Sequence, residues 1–166
     1  HWFEKPALLY WIQITSYNLF GVSEFSARLG SAIFGLGTAA SLWILGRTVR
    51  EHQTEFAKWL ALIAASSLGL IVFARGASFD IILTFPMTAA MVSFFVFDRR
   101  ASGENSGSQI LPLASFYFFV GVSLLAKGLV GAVFPFAIIA FYFLISRRLP
   151  NRFFLLSLVW GGLLTL

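Results

Sequence analysis

ILPLASFYFFVGVSLLAKGLVGAVFPFAIIAFYFLIS, residues 110–146, carries a single charged residue, Lys127. The apolar runs on either side of it, residues 110–126 and 128–146, each approach the ~20 residues a helix needs to cross ~30 Å of hydrocarbon. A lone lysine between two such runs reads as the turn of a helical hairpin whose arms face lipid. Cutting the rest of the chain at its charges gives four more runs: residues 26–46 (interrupted only by Arg28), 59–74, 81–97 and 153–166. The fold class expected is an all-α polytopic membrane protein, with about six spans in residues 24–166.

Composition supports that reading. Hydrophobic residues make up 58% of the chain and charged residues 11%, with a mean hydropathy of +0.84. Soluble domains carry about 25% charged residues, so this chain cannot cover its surface with polar groups and its solvent must be largely lipid. The chain starts at His1 and stops at Leu166 inside an apolar run. The expectation is therefore a partial N-terminal transmembrane domain, with further chain on both sides. The stretch from His1 does not itself read as a secretory signal peptide. With no cysteine, disulfides and thiolate chemistry do not arise.

The formal charge of +5 invites a nucleic-acid partner, but the basic residues sit in short loops between spans, so none is expected. Assigning loops to alternate sides puts Arg47, Arg50, Lys58, Arg99, Arg100, Arg147, Arg148 and Arg152 on one side. Lys5, Arg28, Arg75 and Lys127 fall on the other. The positive-inside rule makes the first group cytoplasmic. The doublets Arg99–Arg100 and Arg147–Arg148 serve as topology signals. Residues 98–109 (DRRASGENSGSQ) read as a polar, Gly/Ser-rich loop, and His52 as a solvated loop residue. The outer side is sparse: Glu4, Lys5, Glu24, Arg28, Arg75, Asp80 and Lys127. Ionisable groups near hydrocarbon are costly and tend to be paired or functional, so chemistry is expected there.

Residues 1–20 are too polar to span. Leu8, Leu9, Ile12, Leu19 and Phe20 can share a helical face, with Gln13, Ser16 and Asn18 away from its centre. Trp2, Tyr10, Trp11 and Tyr17 supply rings suited to headgroup depth. Residues 1–23 thus read as an external interfacial segment, with Pro6 in the first helical turn; a plain surface anchor would look the same. In the first span Ala27, Ser31, Gly35 and Ala39 form a small-residue stripe that admits a close helix neighbour. Arg28 fits either snorkelling or phosphate binding. Asp80, after ARGASF, fits a helix N-terminus or a functional acid. Lys127 can snorkel or hold a phosphate. GxSxG, HExxH, CxxC and P-loop patterns are absent. Pro86 and Pro135 lack the mid-span charges that a transporter site would place beside them.

Four stretches in order, FEKPALLYW (residues 3–11), LFGVSEFSARLGSA (19–32), ARGASFDIILTF (74–85) and LLAKGLVG (124–131), resemble the bacterial lipid A aminoarabinose transferases. They also resemble the wider protein O-mannosyltransferase-like family, which has the GT-C fold. The resemblance covers nearly the whole chain; Ala7 and Leu129 stand where those relatives often carry proline. It implies a GT-C-type transmembrane bundle in the bacterial inner membrane, with its active face periplasmic. The implied reaction is an inverting transfer of a sugar from a polyprenyl-phosphate donor to a lipid A, glycan or protein acceptor. It further implies a catalytic aspartate in a loop upstream of His1 and a missing C-terminal half, so that these residues alone should be inactive.

The outer charges suit that chemistry. A departing phosphate needs cations as its bond to the sugar breaks, and Lys5, Arg28, Arg75 and Lys127 are the candidates. A carboxylate can activate the acceptor or hold a divalent metal ion; Asp80 and Glu4 are the catalytic candidates, and Glu4 the candidate metal ligand. The competing readings are a transporter or flippase of lipid-linked substrates and a non-catalytic scaffold subunit.

Overall fold

The computed structural model describes residues 7–50, 53–103, 107–147 and 150–165. They form eight helices: α1 (Leu8–Phe20), α2 (Glu24–Val49), α3 (Thr54–Ser66), α4 (Leu68–Arg75), α5 (Phe79–Ala101), α6 (Ile110–Lys127), α7 (Val130–Ser146) and α8 (Arg152–Thr165). Among the described residues α2, α5 and α6 are each long and apolar enough to cross a membrane, and the bent pair α3–α4 makes a fourth crossing if taken as one. α7 is apolar but only 17 residues long, about 25 Å at ~1.5 Å per residue.

α2 is the hub, packing against α1, α3, α4 and α5. Its small residues explain why. A Cβ at Gly35 would lie 2.7 Å from the Ala74 side chain on α4, and one at Gly46 would lie 2.6 Å from the Ala57 backbone on α3. Without a hydrophobic drive between helices in lipid, such close backbone approach supplies the dispersion that holds them. The small-residue stripe behaves as read: Ser31, Gly35 and Ala39 are buried.

The other half of the bundle is packed by aromatic rings. Phe94 on α5, Phe116 on α6 and Phe154 on α8 are buried together with Phe97, Tyr117 and Ile139. Phe94 lies 5.3 Å from Phe154 and 6.0 Å from Phe116, centroid to centroid.

The helices alternate in direction and sort the charges to two ends. At one end Arg99 donates to the Thr48 carbonyl at 3.0 Å, tying the C-terminus of α5 to that of α2. There the Tyr142 hydroxyl also donates to Asp98 at 2.8 Å, tying in α7. At the other end the start of α5 meets the end of α6.

Three expectations change. The run at residues 59–74 is not one straight helix: it breaks at Ser67, and α3 and α4 meet at 57°. The hydroxyls of Ser66 and Ser67 donate to the Ile63 and Ala64 carbonyls, which satisfies groups that the break frees. The polar loop begins at Ser102 rather than Asp98, because α5 continues through Arg99 and Arg100; cations are favoured in a last helical turn. α1 begins at Leu8 and is about 20 Å long at ~1.5 Å per residue, too short to span. Its packed row is Leu9, Ile12 and Ser16, whereas Leu19 and Phe20 are exposed. Contact with α2 at Gly30, where only a glycine leaves room for Ile12, selects that row.

Candidate active site

Asp80 and Lys127 meet at the sparse end of the bundle. Ser78 caps α5, its hydroxyl accepting from the Asp80 amide at 3.2 Å, which fixes Asp80 in the first helical turn. Gly128, at φ +65°, ends α6 and donates its amide to the Leu124 carbonyl. Lys127 is thereby the last helical residue. Each charge sits at the helix end that its sign favours. Lys127 Nζ donates to Asp80 Oδ1 at 2.8 Å.

The floor beneath the pair is aliphatic. Leu9 of α1, Ile81 and Ile82 of α5 and Ala126 of α6 are buried against one another, with Ile12, Leu70 and Phe79 packed around them. Tyr10 stands edge-on to Phe79 at 5.8 Å. The floor fixes the helix ends, while the charges stay open: the side chains of Asp80 and Lys127 are 58% and 45% exposed. An ion pair this exposed is worth about 0–1 kcal/mol, so a ligand can exchange for either member at little cost. The arrangement offers one acid and one cation, 2.8 Å apart, over an apolar wall.

The other predicted residues fall elsewhere. Arg28 lies within the first two turns of α2 and pairs with Glu24 at 3.4 Å, both exposed. Arg75 is the last residue of α4 and borders a groove of ≈ 300 Å³ against α2, lined by Gly35, Leu36, Ala39 and Leu70. Glu4 and Lys5 lie outside the described residues, as does His52. Among the described residues no group of three or more His, Asp or Glu gathers that could hold a metal ion; the candidate ligand Glu4 is not among them.

Sequence reasoning put Asp80 and Lys127 on one surface without pairing them. The available signal was opposite charge at the abutting ends of two consecutive antiparallel spans. It also missed the tie between Asp98 and Tyr142, which lies 44 residues on in a later helix.

The chain matches the dolichyl-phosphate-mannose-protein mannosyltransferase family over residues 1–163. It belongs to that family. Its relatives include the undecaprenyl phosphate-alpha-4-amino-4-deoxy-L-arabinose arabinosyl transferase of Aeromonas salmonicida, 32% identical over 168 residues, covering 98% of this chain and 29% of the relative. The protein of the same name from Aeromonas hydrophila is 32% identical over 152 residues, covering 89% and 26%. Among solved structures, ArnT from Cupriavidus metallidurans in the apo state is similar with a TM-score of 0.85 at 25% identity, covering 99% of this chain and 30% of that one. The mannosyltransferase-family chain thus has the GT-C membrane fold and is a multi-pass membrane protein. It spans under a third of the length of the relatives it matches.

Proposed function

We propose that this chain forms part of an inverting membrane glycosyltransferase that takes a sugar from a polyprenyl-phosphate donor. The acceptor is a lipid, glycan or protein at the periplasmic face of the bacterial inner membrane. The observation that carries the reading is the exposed Asp80–Lys127 pair at the sparse end of the bundle, in a chain whose relatives are named for an undecaprenyl-phosphate-linked sugar.

The chemistry follows from the charges. As the bond between sugar and phosphate breaks, negative charge grows on the phosphate oxygens, and a preplaced cation lowers that barrier. Lys127 supplies one such cation, with Lys5, Arg28 and Arg75 as further candidates from the same side of the sequence. When Lys127 turns to the phosphate, Asp80 is released to accept a proton from, or orient, the acceptor nucleophile. Glu4 is the second carboxylate, and a divalent ion held there would add positive charge. The aliphatic floor leaves a hydrocarbon surface beside the site for a lipid tail.

Sugar transfer from a polyprenyl-phosphate donor, measured in membranes containing the full-length protein and normalised to its amount, tests this. Asp80→Asn is expected to lower turnover by about 100-fold or more, the range of a lost general base. Lys5→Ala is expected to raise the donor concentration needed for half-maximal rate. Wild-type transfer by both variants would remove the site. Sidedness is read separately, because the chain has no cysteine: Ser78→Cys should react with an impermeant reagent from the periplasm and Ser102→Cys only after permeabilisation.

A further inference from the structure

Two apolar grooves flank α5 toward the end that holds Arg99 and Arg100. One, of ≈ 460 Å³, runs between α2, α5 and α6 and is lined by Ser41, Ile44, Val96, Leu111, Ser115 and Arg100. The other, of ≈ 420 Å³, runs between α2, α5 and α7 past Leu45, Met91, Phe95 and Asp98. They are alike in size and apolar character and differ in the sign of the charge at the mouth.

In the first groove the Ser41 hydroxyl donates to the Gly37 carbonyl at 2.8 Å. Arg100 donates from Nη1 to the Ser108 carbonyl at 2.7 Å, and its buried Nε has no hydrogen-bond partner among the described residues. A guanidinium has five N–H donors in a fork that matches phosphate. Arg47, exposed on the last turn of α2, adds positive charge at the same end. In the second groove Asp98 is engaged by the Tyr142 hydroxyl, and its carboxylate repels anions.

We propose that the groove between α2, α5 and α6 binds an anionic glycerophospholipid, with the phosphate on Arg100 and one acyl chain along the groove. Its rim residues Ile44 and Leu111 are 47% and 70% exposed along apolar helices long enough to cross a membrane, so an acyl chain laid there meets aliphatic side chains. The groove is open and apolar along its length and cationic only at its end, which is the charge pattern of a phospholipid. Basic pockets between membrane helices hold such headgroups. The lipid is distinct from any polyprenyl carrier at Lys127. Arg100 follows Asp80 by twenty positions on α5, about 30 Å at ~1.5 Å per residue, so one phosphate cannot reach both ends.

Lipid titration of the purified full-length protein, followed by native mass spectrometry, tests the site with dioleoyl phosphatidylglycerol and dioleoyl phosphatidylcholine as probes. Wild type should bind phosphatidylglycerol at least about fivefold more tightly, the effect of one basic residue near a lipid surface. Arg100→Gln should erase that preference and leave phosphatidylcholine binding unchanged, while Arg100→Lys should retain part of it. Ala40→Trp, which fills the groove, should weaken both lipids; Thr88→Trp, in the opposite groove, should leave the phosphatidylglycerol preference intact. Thermal unfolding of each variant separates loss of the site from loss of the fold. Equal binding of the two lipids by wild type would overturn the proposal. So would an unchanged preference in folded Arg100→Gln, or wild-type binding by folded Ala40→Trp.

Discussion

The two ends of the bundle use charge in opposite ways. At the basic end Arg99 and Asp98 are held by the architecture: Arg99 donates to the α2 carbonyls of Thr48 and Val49, and Tyr142 donates to Asp98, while Arg100 gives one N–H to the Ser108 carbonyl. At the sparse end Asp80 and Lys127 are joined to each other and about half exposed. A guanidinium on unsatisfied helix carbonyls closes helices that would otherwise leave them bare. An exposed ion pair at two helix ends adds little stability and stays available to a ligand. We propose that the crowded end serves the fold and the sparse one the chemistry.

Stability measurements can break that contrast. The largest effect is expected in the aromatic half: Phe116→Ala removes a fully buried ring that touches Phe94, Tyr117, Phe136 and Phe154. A loss of about 3 kcal/mol is expected, seen as a lower unfolding temperature in detergent. Arg99→Gln should cost about 1–2 kcal/mol, the range for a cation at a helix C-terminus in a partly buried setting, with transfer per folded molecule unchanged. Lys127→Gln should change stability by less than about 1 kcal/mol yet lower transfer. If Lys127→Gln destabilises more than Arg99→Gln, the two ends do not differ as described.

Legibility in the sequence followed the same divide. The bounds of α6 were plain because charge and glycine flank an uncharged run at residues 110–126, and the helix observed is Ile110–Lys127. The break between α3 and α4 was hidden, since Ser66 and Ser67 read as part of an apolar run until their hydroxyls are seen on the Ile63 and Ala64 carbonyls. The packed row of α1 was hidden too. A helix among lipids is apolar on both sides, and only the contact of Ile12 with Gly30 shows which row meets protein. At the candidate site, hairpin topology put Asp80 and Lys127 at one surface from sequence alone. Their pairing required the helix ends to be placed, which local pattern does not do. On sequence grounds Glu4 and Lys5 group with Asp80 in one outer cavity, and Arg28 and Lys127 stand as further phosphate candidates. In space Arg28 is engaged with Glu24, while Glu4 and Lys5 lie outside the described residues.

The central claim is that the Asp80–Lys127 pair serves the reaction rather than the fold. The most direct measurement is sugar transfer by the full-length double variant Asp80→Lys/Lys127→Asp, set beside its unfolding temperature. Swapping the charges keeps the attraction between the helix ends and reverses what a substrate meets, although each charge then opposes its helix dipole. The account predicts an unfolding temperature close to that of wild type, with transfer lowered by about 100-fold or more, the scale of a lost general base. Transfer restored to near wild type in the swapped protein, when each single variant lacks it, would contradict the account and make the pair a structural tie.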